Sequence, residues 1–143
     1  MATDALIKVI CRSALAGRDI VLLKNIITLS LVENTGVAFS FLGSAPSAAM
    51  ALSGIMVIAV LVLLLRCSFG RLCSIALSML AAGGTGNLLD RLVTGAVTDM
   101  IRLDFISFPV FNFADICVTL GAVLIVFAVL FTKEGENDAV RNH

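Results

Sequence analysis

Apolar residues run almost without a break through about residues 48–65, 72–89 and 113–131. Each run is long enough to cross a bilayer of roughly 30 Å at about 1.5 Å per residue, so the pattern predicts three spanning helices. Arg66 ends the first run, and Lys133 follows the third. Between the first two lies RCSFGR, a short turn carrying Arg66 and Arg71. Two arginines in so short a loop place it on the cytoplasmic side. The polar tail 133–143 is then expected on that side too, while residues 16–47 and 93–112 share the opposite one.

The polar stretches between the runs have their own periodicities. Residues 19–32, DIVLLKNIITLSLV, are rich in β-branched side chains and loosely alternate, which predicts one or two strands. TGAV and IRLDFISFPVF offer further extended pieces, so a small β-rich platform is expected outside the membrane. Residues 1–15, MATDALIKVICRSAL, place Asp4, Lys8 and Arg12 at i, i+4 and i+8, one polar stripe on a helix. Asp preceding Lys by four is a favourable helical pair. This segment is too short and too charged to span, and it lacks the apolar core and cleavage site of a signal peptide. It reads as the last turns of a first helix.

Composition supports the membrane reading. The 143 residues are 59% hydrophobic and 14% charged, against roughly 45–50% and about 25% in soluble domains. One domain is expected over 1–143. A formal net charge of zero and the lack of a basic tract argue against a nucleic-acid partner. Cys11, Cys67, Cys73 and Cys117 form no CxxC pair, and His143 stands alone at the end of the chain. A metal site is therefore not expected, and the cysteines read as free thiols. Nothing calls for an oligomer, so a monomer is expected.

In such a chain, ionisable side chains near hydrocarbon are the candidates for chemistry. Asp99, in VTDM, and Asp115, in FNFAD, fall near the same outer interface, and two neighbouring carboxylates can share one proton. Asp104 competes with Asp99, and spacing alone does not choose between them. Asn112, Asp115 and Thr119 share a helical face at i, i+3 and i+7, and Asp115 in a first turn also complements the helix dipole. In GGTGNLLDRL, Gly83, Asn87 and Asp90 lie on one face, flanked by Gly86 and Arg91. The glycines invite close approach of another backbone. Asn87, Asp90 and Arg91 project toward one site, or else Asp90 and Arg91 form a structural ion pair. In ENTGVAFS, Asn34-Thr35-Gly36 reads as a turn with Gly36 free to take positive φ, and Asn34 is a candidate to hold a substrate backbone.

Taken in order, DALIK (4–8), ENTGVAFS (33–40), GGTGNLLDRL (83–92), VTDM (97–100) and FPVFNFADICVTLGA (108–122) resemble the lipoprotein signal peptidase, or signal peptidase II, family. These are aspartic intramembrane endopeptidases of bacteria. The resemblance implies a mainly α, polytopic membrane fold. Four helices form its bundle, the first truncated here, beside an extracytoplasmic β-cradle and a short helix arching over the site. It implies Asp99 and Asp115 as the catalytic pair, and so selects Asp99 over Asp104. Asp4, Lys8, Asn34, Gly86, Asn87, Asp90, Arg91 and Asn112 are implied as substrate-binding or supporting residues. The implied substrates are prolipoproteins, cut just before a diacylglyceryl-modified cysteine at the outer side of the cytoplasmic membrane, with membrane lipid around the enzyme and no cofactor.

Two other readings follow from the same features. A truncated relative lacking most of its first helix is expected to bind lipidated signal peptides without cutting them. A small proton-coupled carrier also uses intramembrane acids, but its acids line a path across the bilayer, whereas Asp99 and Asp115 lie at one interface.

Overall fold

The computed structural model describes residues 2–36 and 46–131. Four helices and three strands follow in the order α1 (Ala2–Ala14), β1 (Ile20–Leu23), β2 (Ile27–Asn34), α2 (Pro46–Arg66), α3 (Arg71–Thr94), β3 (Val97–Leu103) and α4 (Phe113–Phe131). The three apolar runs are α2, α3 and α4. Among the described residues, Arg71–Thr94 and Phe113–Phe131 are long and apolar enough to cross a membrane. Residues on α2 and α4 such as Ile55, Ile58, Leu65, Val123, Val129 and Phe131 are exposed, as suits surfaces solvated by lipid rather than water.

α3 packs against both α2 and α4. The glycines set its separation from α4. A Cβ on Gly83 would collide with the Ala114 carbonyl and lie 2.8 Å from a Val118 methyl. On α4, a Cβ at Gly121 would lie 2.7 Å from the Ala76 carbonyl. α3 continues to Thr94, beyond the expected end near residue 89, because the GNLLDRL stretch keeps helical geometry, with Asn87 and Asp90 bonded to neighbouring elements and Leu89 and Leu92 exposed. Gly95, at φ 79°, stops it, its N–H bonding the Arg91 carbonyl at 3.0 Å.

The strands form an antiparallel sheet in the order β1-β2-β3. Asn25, at φ 61°, makes the turn between β1 and β2. Val32 faces Asp99, and Asn34 faces Val97. Beyond β3 the chain doubles back, and Ile101 and Phe111 exchange both backbone hydrogen bonds, at 2.8 and 3.1 Å. α1 closes the sheet side through a buried cluster of Cys11, Leu15 and Met100, with Ile7, Leu29 and Ile101 packed around it. The residue 1–15 segment is therefore a helix, and its apolar side faces the sheet as well as the exterior.

Thr119 is exposed on α4, one turn beyond Asp115, while Asn112 precedes the helix and caps it. One sequence expectation needs correction. Asp90 and Arg91 are not an ion pair: neighbours on a helix point about 100° apart, and each finds a partner on a different element. The tail 133–143 and the VAFS end of ENTGVAFS lie outside the described residues. The arching helix is not among the elements of the described residues.

Candidate active site

The site lies where the end of α3, the start of α4, strand β3 and helix α1 converge. Asn112 organises it. Its side-chain carbonyl accepts the Asp115 N–H at 2.9 Å, while its own N–H donates to Asp115 Oδ2 at 3.1 Å. This reciprocal arrangement is a capping box with Asp at the third helical position. The asparagine's Nδ2 is left to donate outward, to Asp99 Oδ1 at 2.6 Å and to Asn87 Oδ1 at 3.1 Å. One fully buried residue thus ties both candidate carboxylates together. The Ile101–Phe111 backbone pairing makes this possible, because it brings the residue after Phe111 beside β3.

Each carboxylate has a further amide partner. Asn34 Nδ2 donates to Asp99 Oδ2 at 3.0 Å, which the sheet register explains: Asn34 is two residues beyond Val32, the partner of Asp99, and so projects from the same face. The Asn34 Oδ1 accepts the Gly36 N–H at 2.9 Å, with Gly36 at φ 98°, so the expected turn also orients this amide. Asn87 Nδ2 donates to Asp115 Oδ1 at 2.7 Å. Asp99 is 1% exposed, whereas Asp115 is half-buried. Burial pushes the Asp99 carboxyl above the ordinary carboxylate range. The Asn34 and Asn112 amides and Lys8 pull it back, and the Asp115 charge adds to the rise.

Behind this pair stands a charged cluster. Lys8, 1% exposed, lies 2.9 Å from Asp4 Oδ2 and 3.0 Å from Asp90 Oδ2, and it donates to Asn87 Oδ1 at 3.1 Å. Asp4 also accepts the Ala114 N–H at 3.0 Å, satisfying a first-turn donor of α4. Gly86 is where Asp4 enters: a Cβ there would stand 2.9 Å from its Oδ2. Asp90 accepts the Thr98 N–H at 3.1 Å. Arg12 donates to Thr98 Oγ1 at 2.5 and 2.9 Å and lies 3.8 Å from Asp90.

The structure therefore gathers Asp99, Asp115, Asp4, Lys8, Asn34, Gly86, Asn87, Asp90 and Asn112. It does not gather Arg91, which reaches across to α2 and donates to Ser53 Oγ at 3.4 Å. Asp104 is excluded as well. Itself exposed just past β3, it accepts from buried Thr28 at 2.6 Å and from Arg102 at 3.0 Å, and these two bonds hold its carboxyl below the usual range. Arg12 and Thr98 are the members that sequence reasoning missed. Arg12 continues the Asp4–Lys8 stripe, a visible clue; Thr98 alternates with Asp99 along β3, so strand periodicity points it away from the carboxylates. All four cysteines are free, and no metal-holding group of three His, Cys, Asp or Glu occurs among the described residues.

The sequence comparisons with known proteins agree on one family. A family model described as signal peptidase (SPase) II matches residues 1–131. A lipoprotein signal peptidase of Lactiplantibacillus plantarum is 38% identical over 128 residues, covering 89% of this chain and 86% of that protein. One from Deinococcus radiodurans is 41% identical over 122 residues, covering 77% of this chain and 63% of that protein. Among solved structures, a bacterial membrane enzyme determined by the in meso method at 2.3 Å superposes with a TM-score of 0.82 at 25% identity, covering 99% of this chain and 87% of that one. With a family match running from the α1 stripe to the end of α4, this chain belongs to the signal peptidase II family.

Proposed function

We propose that this protein is an aspartic endopeptidase of the bacterial cytoplasmic membrane that removes the signal peptide from lipid-modified prolipoproteins, with Asp99 and Asp115 as its catalytic pair. The observation that carries this reading is the bridging of both carboxylates by Asn112. Four carboxylates (Asp4, Asp90, Asp99, Asp115) converge here with two cations, Lys8 and Arg12. Such an excess of negative charge favours retention of one proton by the pair. Asp99, buried and raised, is the group to hold it.

The chemistry follows from that difference. Asp115, the more accessible of the two, takes a proton from water as the water oxygen attacks the scissile carbonyl carbon. Asp99 gives its proton to the developing oxyanion. Collapse of the tetrahedral adduct restores the carbonyl, returns the hydroxyl proton to Asp99 and breaks the carbon–nitrogen bond. The proton gained by Asp115 passes to the leaving nitrogen, the α-amine of the lipidated cysteine. Net, one water adds across the peptide bond, and no redox or cofactor chemistry is required.

Placement supports the substrate class. The site sits at the α2 N-terminal and α3 C-terminal end of the bundle, opposite the Arg66–Arg71 turn. By the positive-inside rule that turn is cytoplasmic, which puts the pair at the outer interface. A diacylglyceryl group then remains in the bilayer while the adjoining peptide bond reaches the acids.

The test is cleavage of a lipidated prolipoprotein in nanodiscs. Asp99→Asn and Asp115→Asn are each expected to lower turnover by roughly 10³-fold, and Asp104→Asn to leave it within about twofold, as an exposed ion pair contributes little. Loss with Asp104→Asn and retention with Asp99→Asn would overturn the assignment. A wild-type protein that binds the precursor without cutting it would favour a non-catalytic relative.

A further inference from the structure

Lys8 touches neither Asp99 nor Asp115, yet it is among the largest fully buried side chains in the molecule. Its ammonium has three hydrogens and three acceptors: Asp4 Oδ2, Asp90 Oδ2 and Asn87 Oδ1. The third is the informative one. The Asn87 amide has two ends with opposite demands. On one side stand two donors, Lys8 Nζ and Asn112 Nδ2; on the other stands the Asp115 carboxylate. Only one orientation satisfies all three neighbours. A flipped amide would turn its NH₂ against an ammonium and its oxygen against a carboxylate.

We propose that Lys8 is a positioning residue that locks the Asn87 amide so that its N–H is presented to Asp115. This rests on the reading of Asp115 as a catalytic acid. Without the ammonium, the working orientation rests on the Asp115 carboxylate itself and on Asn112 Nδ2, which also serves Asp99. Asn87 would then be held less firmly, and its donor to Asp115 Oδ1 less fixed in the orientation that the proton transfers need. Asp4 and Asp90 hold the ammonium in place while making their own bonds to the α4 N-terminus and to β3. The residue 1–15 stripe thus acts on the chemistry through α3.

Kinetics on lipidated precursor in nanodiscs test this. Lys8→Met is expected to lower kcat on the order of 10²-fold, as small misplacements of catalytic groups do, with KM within about twofold. Because that variant leaves two buried carboxylates short of a cation, Asp4→Asn/Lys8→Met is the companion. Asp90 keeps Arg12, residue 4 keeps an acceptor for Ala114, and the same kcat loss is expected with a thermal midpoint nearer wild type. On an Asn87→Ala background, Lys8→Met is expected to change kcat by less than about twofold, since linked residues are non-additive. A full, additive loss on that background, or unchanged kcat in both Lys8 variants, overturns the proposal. If wild type does not cut, or Asp99→Asn and Asp115→Asn both retain activity, the endopeptidase reading itself fails, and with it the basis of the inference.

Discussion

Asp99 is held in a surrounding that disfavours its charge, and stability must carry the mark of it. Its folded pKa is raised, chiefly by burial, so the folded chain binds this proton more tightly than the unfolded chain does. Stability linked to Asp99 is then complete below the unfolded value of about 3.9 and is lost as pH rises through the folded value. Asp99→Asn removes that titration. The thermal midpoint of the variant, measured against wild type, is expected to move in the variant's favour as the pH rises from about 4 toward neutrality. A difference that stays flat across this range would contradict the raised carboxyl. Such a gain, coupled to lost turnover, is the usual relation between a strained site and its function. The sequence singled out Asp99 only through family motifs, because Asp104 has the same residue type on the same strand region. Partners separate them: Asp99 meets two amides, one of them fully buried, and Asp104 meets a hydroxyl and an exposed guanidinium.

Helix contacts give sharper predictions than helix existence does. Gly83 and Gly54 look alike in sequence, each inside an apolar run. A Cβ at Gly83 meets the α4 backbone, whereas one at Gly54 meets nothing within 4 Å. Gly83→Ala is therefore expected to cost about 1–3 kcal/mol by forcing α3 and α4 apart. Gly54→Ala is expected to be neutral or to gain about 0.4–1 kcal/mol from the less flexible unfolded chain. Thermal denaturation of both in one detergent decides it; equal effects would refute the packing argument. The elements themselves were legible: three apolar runs became α2, α3 and α4, and the alternating stretch became β1 and β2. The excess length of α3 was not, since hydropathy marks where lipid ends rather than where a helix ends. The Arg91 contact with Ser53 was not legible for a related reason. Helical phase tells which way a side chain leaves its own axis, not which neighbour waits there.

Across the whole molecule, α1 is the tie. Its stripe reaches α4 through Asp4, α3 through Lys8 and β3 through Arg12, while Cys11 and Leu15 pack on Met100 of the sheet. Leu15 is 2% exposed. Leu15→Ala is expected to cost about 2–5 kcal/mol by opening a cavity between α1 and the sheet. Faster amide exchange along both α1 and β3 is expected with it, and loss of protection confined to α1 would show that the two are not coupled. What the sequence determined by itself were properties encoded over short distances: apolar length, strand alternation, the polar stripe at fours, and a set of ordered motifs that points to one family. What only the tertiary structure decided was which of those polar groups meet. Asp4 and Ala114 are 110 residues apart, Lys8 and Asn87 are 79, and Asn34 and Asp99 are 65. Local periodicity fixes the direction of a side chain relative to its own helix or strand. Close helix packing at the glycines, the sheet register and the return of the chain at Phe111 set where those directions intersect.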